Sequence, residues 1–216
     1  HDDLLERILG HLAVRHLDRG MARRVLEATR PWRESTLMQF DREGRGQTVV
    51  DRMSWEPPNR RGYYERIGHL VAAVPDLEHA LESEPPVQVA FNGPTAEMEA
   101  LVAALGRVET GGTVAVSVTS YPARDFTLVD VNAAGATKGQ ALADVARHFG
   151  VEQREVFAIG DNHNDIDMLQ WAGTAVVMGN AEPALLAPGP SAGTARRWPP
   201  ATRPTPSSTT KPSRCA

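Results

Sequence analysis

Apolar positions recur at near-helical spacing from Leu17 to Thr29, where Met21, Val25 and Leu26 fall close to one face, and this predicts a first helix. Two extended runs follow, Ser35 to Phe40 and Thr48 to Met53. The turn-rich Asp41-Arg-Glu-Gly-Arg-Gly joins them, the pattern of a hairpin with a longer loop. Tyr63 to Val74 reads as a second helix ended by Pro75, and Asp76 to Ser83 as a short third. Pro86 to Phe91 reads as a strand, and Asn92-Gly93-Pro94-Thr95 starts a helix that continues from Glu97 to Leu105. Thr113 to Thr119 and Phe126 to Val131 give two more strands. The first 131 residues therefore read as a sheet with helices packed on it, without an internal repeat.

From Lys138 the pattern becomes a strict alternation of helix and strand. Leu142, Val145, Ala146 and Phe149 line one face of a helix from Lys138 to Phe149, and Gly150 is a natural C-terminal cap. Val156-Phe-Ala-Ile159 is short and continuously apolar, as expected of a strand buried on both faces. A polar loop and a short helix from Asp165 to Trp171, closed by Gly173, lead to a second buried strand, Ala175 to Met178, completing a βαβ unit. The fold class read from this order is α/β. It comprises a sheet with helices packed on it over 1–131, a helix–strand alternation over 132–187, and a tail over 188–216. The tail is rich in Pro, Ser, Thr and Arg, has little to bury, and is expected to be disordered; an out-of-frame translation would have the same composition.

Composition narrows the function. Hydrophobic residues make up 41% and charged residues 23%, ordinary for a globular protein. No apolar run approaches the ~20 residues that span a bilayer, so no membrane role is expected. The net charge is −4, but all five charged residues after Glu182 are basic. Without them the body carries 18 basic against 27 acidic residues, a surface that repels nucleic acid. The single cysteine, Cys215, allows no internal disulfide, which fits a reducing cytoplasm. The chain opens on His1, expected of a processed chain or one whose beginning is missing.

The chemistry concentrates in Ile159-Gly160-Asp161-Asn162-His163-Asn164-Asp165-Ile166. A buried strand ending in Gly-Asp presents Asp161 at the carboxyl edge of the sheet, where open α/β folds bind ligands. Asn164 and Asp165 follow at the start of the next helix. Two carboxylates on one short loop suit a hard cation with oxygen ligands, and magnesium is the usual choice beside phosphate. A calcium hand does not fit, because the sixth loop position, which requires Gly, is Ile166. Helix capping explains Asn164 or Asp165 singly but not the whole pattern. His163 reads as an exposed loop residue. A second signal is Gly135-Ala136-Thr137-Lys138-Gly139. A lysine at a helix start opposes the macrodipole by about 0.3–1 kcal/mol, a placement that makes sense beside a bound anion.

These residues together resemble the last two motifs of the haloacid dehalogenase-like hydrolases, specifically the Cof type with its α/β class IIB cap. The likeness runs from Leu128 through the Lys-Gly helix start and Gly-Asp-x-x-Asn-Asp to Ala172-Gly173 and Met178-Gly179-Asn180-Ala181. Before Leu128 only the pattern of elements matches. The resemblance implies an α/β cap domain over 1–131 and the C-terminal half of a Rossmann-like three-layer core over 132–187. The resemblance implies a magnesium-dependent phosphatase that hydrolyses a small phosphorylated metabolite, such as a sugar phosphate, through an aspartyl-phosphate. It implies that Lys138 contacts nucleophile and phosphate, Asp161 binds Mg2+, Asn164 helps hold the phosphate, and Asp165 supports the metal shell or orients the lysine.

Two parts of the family pattern are absent from the 216 residues: the nucleophile motif, and the Ser or Thr that ends the next strand, which the family places before the cap. The Asp-x-Asp-Gly-Thr motif that supplies the nucleophile occurs nowhere, and Asp2-Asp3 lacks both the preceding strand and the Gly-Thr. The resemblance therefore implies a fragment with no turnover of its own, and an exposed apolar edge beside Val156 to Ile159. An inactive remnant or phosphate- and metal-binding module, and a phosphomutase relative, are the alternative readings. Neither the substrate nor the oligomeric state is legible.

Overall fold

The computed structural model describes residues 14–182 and Leu185. The tail expected to be disordered lies outside the described residues.

Most helices form where the sequence supplies a cap and an apolar face. Asp18 accepts from the Met21 amide at 2.9 Å and starts α1 (Arg19–Ala28), which buries Met21, Ala22, Val25 and Leu26. Helix α2 (Pro58–Ile67) opens on a proline whose missing N–H costs nothing there. Asp76 caps α3 (Leu77–Ser83) through the His79 amide, and α4 (Thr95–Leu105) follows Pro94.

Six strands make the larger sheet: β1 (Thr36–Gln39), β2 (Thr48–Val50), β3 (Val71–Ala73), β4 (Gln88–Gly93), β5 (Val114–Tyr121) and β6 (Phe126–Ala133). Their order is β3-β2-β1-β4-β6-β5. The expected hairpin is present, with Met38 opposite Val49 and Gln39 opposite Thr48. On one face Met38, Val89, Phe91, Val129 and Val131 join side chains of α1, α3 and α4 in the main core. On the other, Leu37, Val50 and Ala90 pack against Tyr63 and Ile67 of α2. The rest of that second face, including Ser117, Thr119 and Asp130, is turned toward the site described below.

The remaining elements form a βαβ unit preceded by a helix. Helix α5 (Lys138–Phe149) is capped by Thr137 and ends at Gly150, whose φ of +67° favours glycine. Strands β7 (Phe157–Gly160) and β8 (Thr174–Val177) are parallel and joined by α6 (Ile166–Trp171). Ala158, Leu169, Ala172 and Ala175 form a second core, with Leu142 of α5 against it. The α/β class expected from the sequence is the observed one.

Two local expectations are corrected. The helix read over Tyr63 to Val74 ends at Ile67, and Val71–Ala73 forms β3, parallel to β2. Three residues are too few to show strand periodicity, and their hydrogen-bond partners lie some twenty positions away in the chain. The strand expected to be buried on both faces is buried on one. Phe157 is 56% and Ile159 52% exposed, because α5 and α6 cover the same side of the two-stranded sheet.

An apolar face of this kind promotes association. The double variant Phe157→Thr/Ile159→Thr, which places strand-favouring β-branched side chains at both positions, is expected to sediment as a smaller species than the wild-type chain at equal concentration. Its urea unfolding free energy should change by no more than about 0.5 kcal/mol, as for surface positions generally. A larger loss would show that the face is covered in solution.

Candidate active site

The site is built at the carboxyl end of β7, where strand, turn and helix meet. Gly160 closes the strand, and a short 3-10 turn, His163–Asp165, leads directly into α6. Asp165 folds back over the strand end. An added Cβ on Gly160 would lie 2.5 Å from the Asp165 Cβ, so no larger residue fits there without displacing the aspartate. The Oδ2 atom of Asp165 accepts from the backbone amides of Asp161 at 3.0 Å and Asn162 at 3.1 Å. Its Oδ1 accepts from Lys138 Nζ at 2.5 Å. Asp165 is only 5% exposed, whereas the lysine side chain is half exposed.

Burial disfavours the charged form of Asp165, but Lys138 and the two amides outweigh it and hold the carboxyl below its usual range. A lowered value has a definite sign. The stabilisation is present above the ordinary carboxyl pKa and is lost as the pH falls through the lowered one.

Lys138 reaches the turn because α5 begins beside it. The Gly139 amide donates to Asp167 Oδ2 at 2.9 Å, and a Cβ on Gly139 would meet the Asp167 backbone at 2.8 Å. The glycine thus lets the first turn of α5 sit against α6, with Lys138 aimed at the loop. Its ammonium also donates to Asn164 Oδ1 at 3.3 Å. Because Lys138 can only donate, the Asn164 carbonyl must face it, and Nδ2 points the other way, donating to Thr119 Oγ1 at 2.8 Å.

Lys138, Asn164 and Asp165 are therefore in direct contact. Asp161 stands one residue beyond the strand end, and its carboxylate has no hydrogen bond or ion pair among the described residues. His163 is exposed, as the sequence reading had it. Two contributors were not singled out from the sequence. Asp167 could have been suspected from the glycine it approaches. Thr119 carries no signal in a strand that reads only as alternating residues.

Lys138 and Asn164 of this cluster line a cleft of about 1170 Å³, together with Ser117, Asp130, His163 and Asp167 among others. Asp130 projects from β6 opposite Ser117. Burial pushes its carboxyl up to about 6, against the opposing effect of the Ser117 hydroxyl.

A model of the haloacid dehalogenase-like hydrolase family matches residues 71–188, more than half of the chain and every residue of the site just described. The chain belongs to this family.

Individual proteins are similar over shorter spans. The Bacillus subtilis protein YxeH is 51% identical over 51 residues, which is 24% of this chain and 19% of YxeH. The pyridoxal phosphate phosphatase YbhA of Escherichia coli is 46% identical over 59 residues, 27% of this chain and 22% of YbhA. Among solved structures, a haloacid dehalogenase superfamily phosphatase from Bacteroides thetaiotaomicron superposes with a TM-score of 0.59 at 23% identity, covering 85% of this chain and 59% of that one. A subclass IIB sugar phosphatase gives 0.61 at 18% identity, covering 85% and 61%. These structural likenesses are of fold. The matched region spans about a fifth of the length of the curated relatives and about three fifths of the solved ones.

As a haloacid dehalogenase-like hydrolase the chain raises the question of a metal. Among the described residues, no group of three or more His, Cys, Asp or Glu side chains gathers as a complete metal site. The donors present do fit magnesium in kind. Mg2+ typically takes one or two carboxylates and completes its shell with water and phosphate oxygens. Asp161 supplies one uncommitted carboxylate, and both oxygens of Asp165 are engaged, by Lys138 and by two backbone amides. Among the described residues no helix is long and apolar enough to cross a membrane.

Proposed function

We propose that the chain carries the cap and the C-terminal core segment of a magnesium-dependent phosphatase of the Cof type, with a class IIB cap, acting on a small phosphorylated metabolite. The cap assignment covers 1–131, with β6 running on to Ala133, and the core segment covers 132–187. The observation that carries the reading is the placing of Lys138 Nζ between Asn164 Oδ1 and Asp165 Oδ1 at the mouth of the cleft.

In this reading Lys138 neutralises charge on the phosphoryl oxygens, where a cation stabilises the transferring group. Asn164 offers its second amide N–H to the same group. Asp165 keeps the lysine aimed. Asp161 would hold Mg2+, which when bound offsets charge on nucleophile and phosphate. The nucleophile itself is an aspartate in an Asp-x-Asp-Gly-Thr sequence that these 216 residues do not contain.

The test is calorimetric titration of the full chain with inorganic phosphate in the presence of magnesium. Binding is expected in the wild type and at least tenfold weaker binding in Lys138→Ala, with no release of p-nitrophenol from p-nitrophenyl phosphate by either protein. Equal phosphate affinity in the two proteins would remove Lys138 from the site, and turnover by the chain would show that another residue supplies the nucleophile.

A further inference from the structure

The loop that carries Asn164 is held from outside its own βαβ unit. Asn164 Nδ2 donates to Thr119 Oγ1 at 2.8 Å, and Asn162 Nδ2 reaches the Ser120 carbonyl at 3.4 Å. Both acceptors lie on β5, the edge strand of the larger sheet, 45 and 42 positions away in sequence. The Thr119 side is closed from solvent, the residue being 7% exposed. Ser120 is itself tied to β6, its hydroxyl sharing a hydrogen bond with Thr127 at 2.9 Å, and Thr127 in turn contacts Thr95 at 3.1 Å. The acceptors therefore belong to a hydrogen-bonded strand pair and not to a loose loop.

This geometry resolves the two ends of the Asn164 amide. Its carbonyl is taken by Lys138, and one of its two N–H groups by Thr119. One N–H is left, and with both other atoms engaged its direction is set. An asparagine on a short turn held at only one end could rotate about its terminal torsion, which is broad and soft. Held at both, it cannot. A threonine suits the task, since its branched Cβ restricts the first torsion and so fixes the hydroxyl.

We propose that Thr119 is a positioning residue that orients the Asn164 side-chain amide toward the anion held by Lys138, and thereby couples anion binding to the seating of the larger sheet on the loop. The proposal rests on the phosphate-site reading above for the identity of the anion, but not for the contact itself. Because coupling is reciprocal, a bound anion must hold the sheet against the loop as strongly as the sheet prepares the loop for the anion.

The experiment uses the full chain, inorganic phosphate with magnesium, and the variants Thr119→Val and Thr119→Ser. Valine keeps the shape and removes the hydroxyl; serine keeps the hydroxyl. Thr119→Val is expected to weaken phosphate binding about tenfold, and Thr119→Ser to stay within about twofold of wild type. Equal affinity in wild type and Thr119→Val, or equal losses in both variants, would overturn the proposal, the second because it would mark a packing effect.

A separate measurement on the wild type removes dependence on the variants' folding. The Asn164 side-chain amide protons should give two distinct NMR resonances, one protected from solvent exchange, and the protection should be lost in Thr119→Val while Thr119→Ser keeps it. Unprotected protons in the wild type would sink the proposal whatever the affinities. Should the wild type bind no phosphate, the phosphatase reading fails, and the amide protection decides the Thr119 contact by itself.

Discussion

Asp165→Ala is expected to lower the free energy of unfolding by about 3 kcal/mol, read from urea denaturation at pH 7. The substitution removes three hydrogen bonds to one carboxylate and fills nothing in their place. Each buried donor left without a partner costs about 1–3 kcal/mol, and the partly buried Asp161 and Asn162 amides fall toward the lower end of that range. The lysine adds less than a buried ion pair would, since half of its side chain is in water. The same variant should raise the exchange rate of both amides at the strand end. It should also lose its difference from wild type as the pH falls, because the wild-type carboxylate loses its stabilisation below its lowered pKa. A loss under 1 kcal/mol at pH 7 would mean that water replaces the carboxylate at the two amides.

Asp130→Asn carries the opposite sign. At about 6 in the folded chain against about 3.9 for a free carboxyl, Asp130 binds a proton more tightly folded than unfolded. Stability from this group is fully present below the unfolded value and is lost as the pH rises through about 6. The full shift corresponds to about 3 kcal/mol, and because the residue is not wholly shielded from solvent a penalty of about 2 kcal/mol at pH 7 is expected. Asparagine keeps the shape and carries no charge. It should recover that amount at pH 7, with little change at pH 4, and flatten the unfolding free energy between pH 4 and 6.5. A wild-type profile already flat over that range would show that the carboxylate is solvated in the cleft. Its place there, facing the same cleft as Lys138 and Asn164, gives this residue two opposing pressures: a cost to the fold when ionised, and a polar group to present to whatever enters.

The sequence by itself determined those parts whose causes are local. Helix α1 was legible because Met21, Val25 and Leu26 repeat at helical spacing, and α5 because Leu142, Val145, Ala146 and Phe149 line one face ahead of Gly150. The turn from Gly160 to Asp165 was legible for a covalent reason: six consecutive residues between a strand and a helix have little choice but to gather at the strand's end. Apart from the family resemblance, Lys138 was legible as a cation at an unfavourable helix position, 27 positions before Asp165. Tertiary structure brought the two within 2.5 Å, because Gly139 permits α5 and α6 to pack backbone to side chain. It also decided what no periodicity encodes. Val71 to Ala73 became a strand because β2 offered an open edge, and Phe157 and Ile159 stayed in water because both helices of the unit chose the other face. Thr119 became a partner of Asn164, and Asp130 a perturbed acid, through contacts made by strands far away in the chain. A hydrogen bond or a buried charge depends on which surfaces meet, and the pattern along a strand says only which of its two faces a residue is on.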